Sequence, residues 1–168
     1  YFVMGYTLSL ARREDLPEIV AIYNSTIASR QVTADLQPVS VVEREAWFAA
    51  HQRENRPLYV VRDVSGCLMA WASLSDYYPR AAYHPTAEVS IYIHAQHRGA
   101  GLGKWLLGEM IRRAPALGVH KLVAVIFAHN AASMALFRGS GFEIWGRLPE
   151  VCDLDGMLAD VVLLGKTV

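Results

Sequence analysis

A glycine-rich stretch at residues 96–104 carries the pattern with the clearest chemical use in this sequence. Its glycines, Gly99, Gly101 and Gly103, lie between a predicted strand and a predicted helix. Glycines there let the backbone curl tightly, so that several amide N–H groups point at one spot. The N-terminus of the following helix adds a partial positive charge. The stretch is therefore predicted to form a cradle for a pyrophosphate.

The spacing of these glycines argues against two common phosphate-binding loops. A dinucleotide fingerprint needs G-x-G-x-x-G, but counting from either of the first two glycines places Lys104 or Leu106 at the last glycine. A nucleoside-triphosphate loop needs Gly-Lys followed by Ser or Thr, whereas Trp105 follows the lysine here. The stretch instead reads R-x-x-G-x-G, beginning at Arg98.

Further segments extend this pattern in both directions: residues 22–24, residues 88–93, Asn130-x-x-Ser133, residues 141–142 and Gly156-x-x-x-Asp160. Together with the glycine loop, they resemble the GNAT superfamily of N-acetyltransferases. The resemblance covers residues 6–166 and is strongest to the branch that contains phosphinothricin and methionine sulfoximine N-acetyltransferases. It implies that the loop holds acetyl-CoA as the co-substrate.

The resemblance also implies a fold class, α/β with a GNAT fold. This is a twisted mixed sheet of about seven strands flanked by about four helices. In this fold two neighbouring strands splay apart, and the pantetheine arm of the cofactor enters the cleft between them. Here those strands would be residues 87–94 and 121–128.

Acetyl transfer to an amine requires a deprotonated amine, a polarised acetyl carbonyl and a stabilised thiolate. Glu88 begins the strand that leads into the loop, and the resemblance implies that it is the general base. Burial would raise the pKa of its carboxyl group toward neutrality, which suits proton abstraction. Period-two alternation places Ser90, Tyr92 and His94 on the face of Glu88. A strand amide nearby would polarise the carbonyl.

The resemblance implies a larger set of cofactor-binding residues. Main-chain groups of Ile91 and Ile93 would bond the pantetheine arm. Asn130 would contact the same arm, although asparagine is also a good helix N-cap, and the two roles can coexist. The full set is Ile91, Ile93, Arg98, Gly99, Ala100, Gly101, Leu102, Gly103, Lys104, Asn130, Ser133 and Phe137.

Phe137 departs from the family pattern. Many phosphinothricin acetyltransferases have a histidine at this distance before the Gly-Phe pair, and more widely a tyrosine nearby protonates the thiolate. Phenylalanine can do neither. A water molecule or another residue, such as Tyr92, would serve instead, or the thiolate would leave unprotonated.

The loop before Glu88 resembles the family segment that lines the acceptor pocket. Arg80 could hold a substrate carboxylate in a bidentate pair, and Tyr78 and Tyr83 could wall a small side chain. Thr86 completes this predicted substrate-binding set. The competing interpretation is a loop whose tyrosines pack on the sheet while its arginine is solvated.

Hydrophobic periodicity predicts the elements that position these residues, in the order β-α-α-β-β-β-α-β-α-β-β. We expect one domain over residues 1–168, with Met4 as the native start and residues 1–3 contributed by a tag. Two capping boxes are predicted, one joining Asp15 to Glu18 and one joining Ser40 to Glu43. A hairpin at residues 65–66 and a tight turn at residues 155–156 connect strands.

Composition narrows the classes of function. The chain has 168 residues, 53% of them hydrophobic and 19% charged, so a substantial core is expected. Sixteen basic residues balance sixteen acidic ones, which argues against nucleic-acid and membrane-surface binding. Two cysteines and six histidines show no metal-ligand spacing, so no metal site is expected. We expect a cytoplasmic location, and the resemblance implies a homodimer.

These observations predict an acetyl-CoA-dependent N-acetyltransferase. Its acceptor would be the α-amino group of a small amino-acid-like molecule such as methionine sulfoximine, methionine sulfone or phosphinothricin. The alternatives are an acetyltransferase for a protein N-terminus or a polyamine, and a non-catalytic acyl-CoA-binding module. A polyamine site would need an acidic pocket, whereas the predicted pocket offers Arg80.

Overall fold

The computed structural model describes residues 5–168 and the backbone of Phe2–Val3, so the predicted start at Met4 lies outside the described residues. The described strands form one sheet in the order β1-β2-β3-β4-β5-β6-β8-β7, and among them only the β5–β6 pair is parallel. The strands are β1 (Phe2–Val3), β2 (Tyr6–Leu10), β3 (Leu58–Arg62), β4 (Leu68–Asp76), β5 (Thr86–Ile93), β6 (Lys121–Phe127), β7 (Glu143–Leu154) and β8 (Met157–Thr167). The helices are α1 (Leu16–Asn24), α2 (Glu45–Ala50), α3 (Leu102–Arg113) and α4 (Ala131–Gly139). Seven strands of five or more residues and four α-helices confirm the predicted fold class.

Helices cover both faces of the sheet and divide the core into two main layers. On one face Leu106, Leu107 and Met110 of α3 pack against Val89 of β5. On the other face α1 and α2 pack against β3, β4 and Tyr92 of β5. The alternation along β5 therefore sends its odd-numbered residues toward α3 and its even-numbered residues toward α1 and α2.

Several predicted turns and caps are present. The amide of Ser40 donates to the Glu43 carboxylate and the amide of Glu43 donates to the Ser40 hydroxyl, which is a complete capping box. Asp155 and Gly156 both have positive φ, at 56° and 93°, as a two-residue hairpin turn requires. This turn joins β7 and β8, which extend beyond the strands predicted from the sequence at residues 142–148 and 160–164, because their pairing continues to the turn.

The capping box predicted at Asp15 is wrong. The Asp15 carboxylate makes no capping bond to α1. It accepts a hydrogen bond from the Arg12 amide at 2.8 Å and forms an ion pair with Arg62 of β3. A charge-assisted bond to a guanidinium is stronger than a neutral cap, and it ties the start of α1 to the sheet.

Substitution of two glycines tests this packing. A Cβ added at the first would lie in open space, and a Cβ added at the second would collide with a neighbouring side chain. A Cβ at Gly108, in the interior of α3, would meet nothing within 4 Å, so Gly108→Ala should stabilise the fold by about 0.5–1 kcal/mol through helix propensity. A Cβ at Gly165 of β8 would lie 1.9 Å from the Trp145 ring, so Gly165→Ala should destabilise by about 1–3 kcal/mol. Urea unfolding followed by circular dichroism measures both, and shifts of the same sign would contradict the packing described.

Candidate active site

Strands β5 and β6 run side by side for only three residue pairs and then separate. The paired residues are Thr86 with Lys121, Ala87 with Leu122 and Glu88 with Val123. Beyond this point β6 pairs only with β8, and β5 pairs only with β4. The resulting opening, between residues 89–93 and 124–127, is called the β5–β6 cleft below. The cleft predicted between these strands is present, and Glu88 lies where it begins.

The backbone of β5 offers hydrogen-bonding groups to this cleft. The amide of His94 donates to the carbonyl of Met69 at 2.8 Å, so the even-numbered backbone groups point toward β4. Because these groups alternate sides along a strand, those of Ile91 and Ile93 point into the cleft. The Arg98 guanidinium donates to the Ile93 carbonyl at 3.3 Å and so links the cleft to the glycine loop.

The glycine loop lies at the open end of the cleft, directly before α3. Gly99 and Gly101 both have φ of 79°, a left-handed conformation that favours glycine. A Cβ at either would meet nothing within 4 Å, so backbone conformation rather than crowding requires glycine there. Arg98, Ala100 and Lys104 are exposed, while the Leu102 side chain is buried in the core. Gly103 is confined, since its Cβ would lie 3.1 Å from Ile93.

Glu88 is half-buried on the face of the sheet covered by α1 and α2. Burial raises the pKa of its carboxyl group. Among the described residues no side chain or backbone group forms a hydrogen bond with this carboxylate, so no protein partner opposes the shift. A carboxylate of this kind at the start of the cleft is suited to take a proton.

Tyr92 lies on the same face of β5, inside an aromatic cluster formed by Tyr23, Trp47, Trp71 and Tyr92. Its ring stacks on Trp71 at 4.5 Å between centroids and meets Tyr23 at 5.2 Å. Burial raises the pKa of the Tyr92 hydroxyl well above its usual value. The hydroxyl therefore stays protonated and can donate a hydrogen bond, but it cannot act as a base near neutral pH.

The residues predicted after β6 flank the far side of the cleft. The Asn130 side-chain oxygen accepts a hydrogen bond from the Ser133 amide at 3.1 Å, which makes Asn130 the N-cap of α4. This bond uses the oxygen and leaves the side-chain NH2 for another partner. Phe137 is buried and meets Phe142 edge to face at 5.0 Å, so its ring belongs to the core.

The loop between β4 and β5 forms a separate cavity of about 340 Å³. Tyr78, Arg80 and Tyr83 all line it, and the two tyrosine rings lie 5.1 Å apart. Neither Thr86 nor Glu88 is among its lining residues. The structure therefore brings the three loop residues together but leaves Thr86 half-buried at the start of β5.

Sequence reasoning gave no functional role to the residues that cover the face of Glu88. The Arg44 guanidinium lies 4.4 Å from the Tyr23 ring centroid and 3.6 Å from the Asp35 carboxylate. Ser73 and Ser75 of β4 lie on this face too, opposite Ser90 and Glu88. Two serines within an otherwise apolar buried strand were the available signal, since buried polar residues usually have a purpose.

The part of the chain that the structure describes offers neither a metal site nor a membrane-spanning helix. No group of three or more His, Cys, Asp or Glu side chains could hold a metal ion there. None of the described helices has both the length and the apolar character needed to cross a membrane.

Comparisons with known proteins agree with this fold. The model of the acetyltransferase (GNAT) family matches residues 19–142. The Bacillus subtilis protein YwnH, provisionally named a phosphinothricin acetyltransferase, is 51% identical over 160 residues, which cover 95% of this chain and 98% of YwnH. The L-methionine sulfoximine/L-methionine sulfone acetyltransferase of Pseudomonas aeruginosa is 39% identical over 150 residues, covering 89% of this chain and 87% of that protein.

A solved structure shows the same fold with a ligand. The phosphinothricin acetyltransferase Pat of Sinorhizobium meliloti was crystallised in complex with acetyl-CoA. It matches this chain with a TM-score of 0.92 at 32% identity, and the match covers 98% of this chain and 89% of Pat.

The burial of Glu88 predicts a pH-dependent gain in stability for Glu88→Gln. Because the pKa of Glu88 is raised in the folded chain, its stabilising contribution is complete below the unfolded pKa of about 4.3 and is lost as pH rises through the folded pKa. The glutamine variant should thus melt at a higher temperature than the parent at pH 8, and the difference should shrink toward pH 4. Calorimetry measures this, with the exposed Glu143→Gln as the control; equal pH dependence in both variants would contradict the assignment.

Proposed function

The chain belongs to the GNAT family of acetyltransferases, and from that premise we propose that it acetylates the α-amino group of a small amino-acid-like acceptor. Methionine sulfoximine, methionine sulfone and phosphinothricin are the candidate acceptors, which the names of the similar proteins support. The observation that carries the proposal is the raised-pKa carboxylate of Glu88 at the point where β5 and β6 separate.

The protein is an N-acetyltransferase and its co-substrate is acetyl-CoA. The residues present fit this molecule. The backbone groups of Ile91 and the amide of Ile93 face no strand on the cleft side and can bond the amides of a pantetheine arm. Beyond them, the N-terminal amides of α3 and the exposed Arg98 and Lys104 can hold a pyrophosphate. Acetyl-CoA supplies an activated thioester. Residues of the chain must then deprotonate the amine, polarise the acetyl carbonyl and stabilise the leaving thiolate.

Glu88 would supply the first requirement, an acceptor amine without its proton. An ammonium has a pKa well above neutral, so a carboxylate takes its proton more readily when burial raises the carboxyl pKa. Glu88 lies beside the cleft and on the face away from α3, so an acceptor would approach from the side of α1 and α2. The nitrogen could then attack the acetyl carbon directly, with no acyl-enzyme intermediate.

The thiolate that leaves would need a hydrogen-bond donor other than residue 137. Phe137 is a core residue without a polar atom, whereas the Tyr92 hydroxyl is protonated and lies on the face of Glu88. Tyr92 is the protein donor we propose, in keeping with its raised pKa, which favours donating a hydrogen bond over complete proton transfer.

Recognition of the acceptor would involve its carboxylate. Arg80 can form a bidentate pair with a carboxylate, and Tyr78 and Tyr83 border the same cavity. Because Glu88 does not line this cavity, one small acceptor would reach both Arg80 and Glu88 only if the loop moved toward Glu88 when the acceptor binds. The cavity also contains Arg53 and Arg56, with Asp76 as its one acidic lining residue among those described. Such a basic lining favours an amino acid over a polyamine.

Release of free CoA thiol from acetyl-CoA tests the proposal directly. The acceptor panel is methionine sulfoximine, methionine sulfone, phosphinothricin, ordinary amino acids, a polyamine and a short peptide. Turnover should be fastest with the sulfur- or phosphorus-containing amino acids. Glu88→Gln should lower kcat by about 10²–10⁴-fold, the usual contribution of a general base, with little change in acetyl-CoA affinity.

Glu143→Gln is the matched control, because Glu143 is an exposed strand glutamate that is separated from β5 by β6 and β8 in the sheet. Full activity in Glu88→Gln would remove Glu88 from the mechanism. Preference for the polyamine or the peptide would overturn the proposed acceptor class and leave acetyl transfer intact.

We also propose that the chain forms a homodimer through its β7–β8 hairpin. Strand β7 is at the edge of the sheet, and Ile144, Trp145, Leu148 and Val151 on it are exposed. An apolar edge strand favours pairing with another chain.

Leu148→Glu should place a charge in that interface and shift the protein toward monomer. Sedimentation equilibrium measures the mass, with Val64→Glu, an exposed position in the β3–β4 turn, as the control that should stay dimeric. A monomeric parent protein at micromolar concentration would contradict the proposal.

A further inference from the structure

Arg56 is a buried arginine in the turn between α2 and β3. Only 2% of its side chain is exposed. Its Nε donates a hydrogen bond to Oδ1 of Asp76 at 2.8 Å, and its Nη2 donates to the carbonyl oxygen of His84 at 2.9 Å. Its Nη1 donates to the carbonyl oxygen of the preceding residue, Asn55, at 2.8 Å. One guanidinium group therefore joins its own turn to two other segments of the chain.

These two segments are the two ends of the β4–β5 loop, residues 77–85. Asp76 is the last residue of β4, and His84 lies two residues before Thr86, the first residue of β5. A guanidinium is planar and its donors form a rigid fork, so bonds from Nε and Nη2 fix the directions as well as the distances of both partners. Arg56 thus sets where the main chain leaves β4 and where it returns to β5.

Asp76 compensates the buried charge of Arg56. Its other oxygen, Oδ2, accepts a hydrogen bond from Arg53 at 2.7 Å. This bond is the main reason why the pKa of the Asp76 carboxyl is lowered, so the group stays ionised near neutral pH. A buried ion pair adds little net stability compared with apolar residues of similar volume, because the cost of desolvation offsets the attraction. Stability alone therefore does not account for a buried arginine at this place.

The β4–β5 loop carries the residues that are proposed to bind the acceptor. Tyr78, Arg80 and Tyr83 lie between the two ends that Arg56 holds, and they line the same cavity as Arg56. Inside the loop, the Tyr83 amide donates to the Arg80 carbonyl at 3.0 Å. The Arg80 guanidinium is exposed, and no hydrogen bond or ion pair ties it to any of the described residues. Its position therefore depends on the loop backbone, and so on the two ends of the loop.

We propose that Arg56 is a positioning residue for acceptor binding. By holding Asp76 and His84 in one fixed relation, it keeps the β4–β5 loop in the position from which Arg80 binds the acceptor carboxylate. Arg56 does not touch the acceptor itself, since its side chain is almost completely buried. Movement of the loop toward Glu88 is then confined to the residues between the two held ends. This inference rests on the proposed role of Arg80.

A lysine at position 56 separates the geometry of the fork from its charge. Arg56→Lys keeps a cation for Asp76, but an ammonium lacks the planar fork that holds Asp76 and His84 together. The kcat/KM for methionine sulfoximine, or for the amino acid of the panel that is acetylated fastest, should fall about tenfold or more, as expected for a misplaced binding group. The KM for acetyl-CoA should stay near that of the parent. Arg13→Ala, which removes an exposed arginine paired with Glu45, is the control and should change neither constant.

A double-mutant cycle tests whether Arg56 acts through Arg80. Arg80→Ala should raise the KM for the same acceptor about tenfold to hundredfold, because it removes a charge-assisted, bidentate pair. In the Arg80→Ala background, Arg56→Lys should then cost little more, since residues that act as a unit give losses that do not add. Fully additive losses would show that Arg56 acts independently of Arg80 and would overturn the proposal.

Guanidinium ion gives a second measurement. Arg56→Ala opens space beside the cavity of about 340 Å³, where a free guanidinium ion can bind Asp76 and the His84 carbonyl again. Millimolar guanidinium chloride should therefore restore part of the acceptor kcat/KM of Arg56→Ala, whereas sodium chloride at the same concentration should not. A folded Arg56→Ala variant with the parent's kcat/KM would contradict the proposal.

The possible failures are distinguishable. Parent-like kcat/KM in Arg56→Lys, with Arg80→Ala impaired, would overturn the role of Arg56 alone. Loss of folding in both Arg56 variants, or an equal rise in the KM for acetyl-CoA and for the acceptor, would assign Arg56 to the stability of the whole fold and also overturn it. A parent-like acceptor KM in Arg80→Ala would instead overturn the carboxylate recognition on which the inference rests.

Discussion

Backbone hydrogen bonding along β5 is the constraint on which the rest of the structure depends. One side of the strand is paired with β4 from Ala87 to Ile93, while the other side pairs with β6 only as far as Glu88. Backbone groups on that side beyond the last pair need other partners, and those of Ile91 and the amide of Ile93 face no strand there. A ligand with its own amide groups can supply these hydrogen-bond partners. The early end of the β5–β6 pairing therefore creates a binding site.

The two-residue alternation along β5 places side chains that pack in the larger core on one face and the candidate catalytic side chains on the other. Val89 and Ile91 face α3 and join the larger core, whereas Glu88, Ser90 and Tyr92 face α1 and α2. Helices on that second face bury Glu88 without pairing its carboxylate. The ionised carboxylate therefore lowers stability near neutral pH, and the same burial makes it a better base.

Local sequence predicted much of this arrangement. The glycine loop, the helix after it, the Ser40–Glu43 capping box and the turn at residues 155–156 all follow from contacts within a few residues. The box predicted at Asp15 failed because a long-range partner, Arg62 of β3, binds that carboxylate. The lengths of β7 and β8 were underestimated because strand pairing, rather than local alternation, sets where they end.

The sequence by itself determined the identity of the loop, the face of β5 that carries Glu88 and the family to which the pattern belongs, since each depends on residue type and spacing. Tertiary structure alone decided what surrounds Glu88. Trp47 lies in α2, His51 directly follows this helix, and Ser75 lies in β4, so only the packing of α2 on the β4–β5 ladder brings them to one face. Burial and pKa depend on neighbours that are distant in sequence, so no local pattern could have specified them.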